Sequence, residues 1–154
     1  MLYNMKKIFI LAIILFYSDF IKASPTGKGL SCFNKQTSLT DYDDFRGLYF
    51  ESNQIVRVVG FKNKNNSLKI VSKTTPYKIS DKNIKFKVKF IWYGNISFEN
   101  FFLDRDNLEI LYSSNNNKIK LKCKIIKGNF MSRINEIKSR LQSNLNNILE
   151  YDKI

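Results

Sequence analysis

Seven lysines in two alternating runs are the residues of this 154-residue chain whose type and spacing suit a chemistry. Lys85, Lys87 and Lys89 occupy every second position of IKFKVKFIW, and Lys118, Lys120, Lys122 and Lys124 do the same in KIKLKCKII. In an extended strand such alternation sends each set to one side of a sheet. Each run therefore predicts a ladder of ammonium groups on a water-facing side. Aligned like charges repel, and a polyanion laid across them relieves the repulsion. These seven are the candidate anion-binding residues, and if both strands face outward side by side they form one basic surface. On the predicted register only Ile91, Tyr93 and Phe101 share that side as stacking partners for bases. An acidic glycan or an anionic lipid surface is thus expected before nucleic acid. The plainer account is solubility, since the chain is rich in Lys, Asn and Ile throughout and carries a formal charge of +13.

Other chemistries are narrowed by what the chain lacks. It has no histidine, which excludes Ser-His-Asp and Cys-His hydrolases and His-ligated zinc. No P-loop, dinucleotide-binding or H-E-x-x-H pattern occurs. Glu51, Glu99, Asp104, Asp106 and Glu109 show no spacing that singles out a glycosidase pair. Thr40 to Asp44 is the densest acidic patch, but it lacks the glycine and distal glutamate of an EF-hand loop. An exposed helical turn capped by Thr40 or Asp41 is expected there instead. No catalytic residue, metal or cofactor is assigned, and the chain is not expected to be an enzyme.

The amino terminus bounds the compartment. Lys6 and Lys7 precede the apolar run Ile8 to Phe16, and Ile21-Lys22-Ala23 suits a cleavage site, so residues 1–23 read as a signal peptide. Its apolar core is far short of the roughly 20 residues that span a bilayer. Cleavage would remove three lysines and one aspartate, leaving +11 on 24–154, a single domain by size. In such a secreted or periplasmic protein the two cysteines, Cys32 and Cys123, predict a disulfide bond.

The elements that must position these groups are mostly strands. The chain predicts a mainly β domain, an antiparallel sheet or partly closed barrel of about seven or eight short strands, with one C-terminal helix over 129–150. Ser24 to Leu39 reads as an irregular lead-in, and Gly47–Glu51 with Gln54–Val59 as a hairpin. Ser67–Lys73 and Tyr77–Ile79 read as separate strands, interrupted at Thr74-Thr75-Pro76. Ile84 to Trp92 alternates apolar and basic residues, and a three-residue loop, Gly94-Asn95-Ile96, sets Trp92 opposite Phe98 and puts Asn100 opposite Phe90. That register makes Phe86, Phe90, Trp92 and Phe98 the core aromatics, and leaves Lys89 and Glu99 as neighbours on the wet face. Asp104 to Asn107 suits a polar turn, with Arg105 bonding nearby carbonyls. Phe130, Ile134, Ile137, Leu141, Leu145 and Ile148 recur every three or four residues after Asn129, the stripe of a helix covering its own sheet.

Asp43 to Glu51 resembles the run that leads into the first strand of lipocalins, a G-x-W-Y-E type pattern after a short helical turn, with Tyr49 in place of the tryptophan. A longer span, Gly47 to Cys123, is similar to small exported β-domain proteins of no assigned activity. The first resemblance implies a barrel carrying a small hydrophobic ligand, the second a domain without a stated chemistry. The function expected is an exported, non-catalytic binding or structural domain engaging anionic surfaces. A lipocalin-like carrier is the alternative, and a carboxylate-based hydrolase a third.

Overall fold

The structure, a computed structural model, describes residues 24–34, 42–52, 54–92, 95–114 and 117–151. The signal peptide expected over 1–23, the cap expected at Thr40 or Asp41 and the side chain of Trp92 lie outside them. Eight antiparallel strands follow one another around a closed barrel: β1 (Gly29–Asn34), β2 (Arg46–Phe50), β3 (Ile55–Lys64), β4 (Ser67–Ile79), β5 (Asn83–Trp92), β6 (Asn95–Asp104), β7 (Glu109–Ser114) and β8 (Asn117–Ile126). A 3-10 turn, Tyr42–Asp44, precedes β2, and the helix α1 (Phe130–Tyr151) ends the fold. The lipocalin-like run thus leads into the second strand, because β1 precedes it.

Inside the barrel the alternation is filled by side chains. Phe86 stacks on Phe101 at 4.8 Å, Phe101 on Tyr112 at 5.7 Å, and Tyr77 meets Phe50 edge-on at 5.4 Å. Leu30, Leu48, Val56, Val58, Phe90 and Leu121 close the remaining volume. The disulfide Cys32–Cys123 joins directly paired residues of β1 and β8, so it staples the first strand to the last on the buried side.

Three expectations change. The lead-in contains β1, whose Gly-Leu-Ser sequence hides a strand, because Gly29 lies under α1. A Cβ at Gly29 would sit 2.8 Å from the Phe130 ring. Second, β4 runs unbroken through Thr74-Thr75-Pro76, since β3 pairs with it along Ser67–Pro76. Only its other edge feels the proline: the β4–β5 ladder covers Tyr77–Ile79 and stops at Pro76. In that register the amide of position 76 would donate to the Lys87 carbonyl, and proline has no N–H. The Thr75 hydroxyl donates to that carbonyl instead, at 2.8 Å.

Third, the β5–β6 hairpin is tighter than predicted. Trp92 pairs with Asn95, Phe90 with Ser97 and Val88 with Glu99. Phe98 therefore faces outward, 48 % exposed, and leaves the set of core aromatics, of which Phe86 and Phe90 are buried. Asn100 also turns outward, while Glu99 and Phe101 turn in. Strand β6 carries apolar residues on both faces, so pattern alone does not decide its register. The decision is made by Arg46, 53 residues earlier, which meets Glu99 inside the barrel.

Helix α1 begins where Asn129 Oδ1 accepts from the Ser132 amide at 2.9 Å, an N-cap. Phe130, Ile134, Ile137 and Leu141 are buried against Phe45, Val59, Phe61 and Leu68, a second core outside the barrel wall. Each such side chain contributes about 1.5–3 kcal/mol on burial. Gly47 admits the helix: a Cβ there would lie 2.8 Å from Ile134 Cδ1. Gln142 then clamps the β3–β4 turn, accepting from the Leu68 amide (2.7 Å) and donating to the Asn66 carbonyl (2.8 Å). The helix thereby covers the outside of β1–β3, the start of β4 and Ile126 at the end of β8, and leaves the outside of β5–β7, the rest of β8 and the far end of β4 to solvent.

Candidate anion-binding surface

Cross-strand register writes the uncovered wall in rows. One runs Lys78–Lys85–Phe102–Leu111–Lys120 from β4 to β8, and the next Lys87–Asn100–Ser113–Lys118 from β5 to β8. Lys85, Lys87, Lys89, Lys118, Lys120 and Lys124 are exposed and Lys122 half-exposed. Both predicted ladders thus face outward, but β6 and β7 stand between them and the closed barrel turns them away from each other. Three interstrand steps separate them by roughly 14 Å along the wall. The space holds the polar pair Asn100 and Ser113, but it is not all polar. Phe98, Phe102 and Leu111 lie there, 48 %, 37 % and 44 % exposed.

The lysines of β5 lie across these rings. Lys85 Nζ sits 5.0 Å from the centre of Phe102, and Lys87 Nζ 4.7 Å from that of Phe98. This cation–π geometry holds the ammonium groups while their stems cover apolar surface. Where the β4–β5 ladder stops at Pro76, the wall opens into a groove of about 510 Å³. Lys78, Lys85, Lys87 and Lys118 line it together with Phe102 and Leu111, and among the described residues no carboxylate does.

The β8 ladder divides in two. Glu109 receives Lys120 at 2.5 Å and Lys122 at 3.6 Å, and Lys122 also donates to the Asn107 carbonyl at 2.7 Å. The Lys120 hydrogen bond, and after it both ammonium charges, hold the Glu109 pKa below the ordinary carboxylate value. Lys120 and Lys122 are therefore partly neutralised by the protein itself, whereas Lys118 turns to the groove. Lys124 stands farther along, beside the start of α1.

The other carboxylates have structural duties. Glu99, 2 % exposed, accepts Arg46 Nη2 at 2.8 Å and Nε at 3.0 Å, a bidentate pair. Arg46 spends its other donor on the Asp43 and Phe45 carbonyls, at 2.6 and 2.8 Å. Burial works against the Arg46 charge, but Glu99 outweighs it and raises the guanidinium pKa. Glu51 pairs with Arg57 at 2.7 Å, and Asp104 accepts the Asp106 and Asn107 amides of its own turn. Arg105 reaches the Ser80 and Asp81 carbonyls at 3.3 and 3.4 Å, as the turn suggested. Among the described residues no group of three or more Cys, Asp or Glu is placed to hold a metal ion.

Besides Phe98, which pattern puts in the core, three members of the surface are not legible in the sequence. Lys78 stands opposite Lys85 across a short turn, which hairpin counting over Ser80 to Lys82 would reveal. Phe102 and Leu111 required the true β6 register. The fold and surface together define an eight-stranded up-and-down barrel, half covered by its own helix and half presenting a lysine-lined groove. Compared with known proteins, the chain matches no family model, no curated protein and no solved structure.

Proposed function

We propose that this is an exported, non-catalytic binding domain whose β5–β8 wall engages anionic surfaces. The observation that carries this reading is the groove itself: four lysines converge on it, and among the described residues no carboxylate lines it. Four ammonium groups held this close raise the local potential, and an anion is the ligand that lowers it. The disulfide is consistent with export, and among the described residues no helix is long and apolar enough to cross a membrane. A carrier reading draws support from the eight-stranded barrel, but Phe50, Phe86, Phe90 and Phe101 occupy the interior where a carried ligand would sit. The commitment of Glu99, Glu109 and Asp104 to basic or backbone partners likewise favours binding over hydrolysis.

The test is retention on heparin and on anionic vesicles over a salt series. Each lysine near an anionic surface is worth about fivefold in affinity, so changing Lys85, Lys87 and Lys118 to Gln should weaken binding by about a hundredfold. Retention should fall as salt rises. Binding that ignores both salt and the three substitutions would return the lysines to solubility alone.

A further inference from the structure

Resting on the anionic-surface reading, we infer that the occupant is a bilayer containing anionic lipids. In this arrangement Phe98, Phe102 and Leu111 enter the acyl boundary while Lys78, Lys85 and Lys87 stand among the phosphates. The argument begins with curvature. A barrel wall is convex, so of the four uncovered strands the middle two, β6 and β7, protrude farthest. Those two carry Ile96, Phe98, Phe102 and Leu111, with Asn100, Ser113 and the lysine-paired Glu109 among them, and the strands that slope away on either side carry the lysines. A flat charged sheet pressed against this wall would meet rings first and ammonium groups next, which is the depth order of a membrane interface.

The apolar group is also larger than charge recognition needs. Ile91 and Ile96 extend it at the β5–β6 turn, both more than half exposed. The Asn100–Ser113 row divides Phe98 and the two isoleucines from Phe102 and Leu111, so the wall carries two exposed apolar clusters, and exposed apolar clusters mark docking sites. A sulfated glycan presents mainly sulfates, carboxylates and hydroxyls, with small C–H faces, so burying aliphatic side chains gains far less on it than in a bilayer. Single-stranded nucleic acid would use the rings, now that Phe98 and Phe102 are known to face outward. Yet Lys85 and Lys87 already lie over those rings at 5.0 and 4.7 Å, where a base would have to stack. For a bilayer the same overlap is favourable: the ring descends, and the lysine stem extends up to the headgroup.

Nor does the wall imply that the barrel is embedded. The interior is apolar and the outer wall carries lysines, the reverse of a transmembrane barrel. Contact is confined to one side, and α1 on the covered half faces away from it.

The experiment compares three proteins with the disulfide formed: the wild type, Phe98→Ser/Phe102→Ser, and Lys85→Gln/Lys87→Gln. Each is tested by sedimentation with phosphatidylglycerol-containing vesicles and by heparin retention, with thermal melting to verify the fold. The proposal expects the phenylalanine variant to lose vesicle binding by about tenfold or more, since apolar insertion scales with buried area, while heparin retention stays at the wild-type value. The lysine variant should lose both. A phenylalanine variant that sediments like the wild type, while the lysine variant does not, overturns insertion and leaves the anionic-surface reading standing. A wild type held by heparin but not by vesicles has the same meaning. Loss of an oligonucleotide complex in step with the two phenylalanines would reassign the wall to nucleic acid. A wild-type dimer that the phenylalanine variant dissolves would reassign it to self-association.

Discussion

Arg46 and Glu99 show how much one buried pair can decide. Neither charge is tolerable alone inside a barrel lined by phenylalanines, and together they satisfy each other in two parallel hydrogen bonds. Replacing Glu99 by Leu should cost about 3–5 kcal/mol, because it strands a buried guanidinium. Replacing both, as Arg46→Met with Glu99→Leu, should cost far less; denaturant unfolding of the singles and the double measures the difference. Tyr112 lies beside the pair, with the Arg46 guanidinium 4.9 Å from its ring centre. Burial first, with Arg46 pulling back and Glu99 pushing on, raises its pKa from 10.0 to about 12. A tyrosine whose folded pKa exceeds its unfolded one stabilises fully below the unfolded value, and that contribution is lost as pH rises toward the folded one. Melting temperature should therefore fall between pH 10.0 and about 12, and Tyr112→Phe should flatten the decline. The pair was illegible in the sequence for a physical reason. Glu99 sits in a strand with apolar residues on both sides, and its partner is 53 positions away. Local alternation carries no information about such a partner, and by itself it points to Phe98 as the core residue.

At the scale of elements, reading succeeded where one face was plainly apolar. β5, β8 and α1 alternate or repeat cleanly, and each lies where its pattern put it. It failed where a neighbour supplied what the local sequence lacks. β1 is held by α1 and β8 despite its glycine, and β4 continues through Pro76 because β3 pairs with it and Thr75 supplies the missing donor. The candidate surface follows the same division: the lysines were legible from alternation, whereas the groove depended on two ladders that no single strand encodes. The helix–barrel contact gives the sharpest test at this scale. Gly47→Ala places a methyl 2.8 Å from Ile134 Cδ1 and should cost about 1–3 kcal/mol by overpacking. Ile134→Val removes that same terminal carbon at about 0.5–1.5 kcal/mol. The double variant should be more stable than the sum of the two losses, and a thermal double-mutant cycle reads the coupling.

Taken whole, the molecule has one side made for itself and one left for something else. The second core binds α1 to β1–β4, and the staple between β1 and β8 fixes the strand at which covered and uncovered halves meet. Cys32 and Cys123 stand 91 residues apart, so on the chain-entropy model the bridge should supply about 4–5 kcal/mol. Urea unfolding of the reduced protein should show a loss of that size. A loss under about 1 kcal/mol would mean that the β1–β8 hydrogen bonds hold the closure unaided.

The order of strands has a kinetic side as well. Seven of the eight ladders join neighbours in sequence, and only β1–β8 brings together distant parts of the chain. Contacts of short sequence separation form quickly, while long-range ones wait on a rare encounter. Most of this barrel can thus assemble hairpin by hairpin, with a single entropic bottleneck at the last junction. The cysteines lie at that junction, so once oxidised the chain carries its hardest encounter through every later unfolding, and each return to the native state begins with the ring already closed.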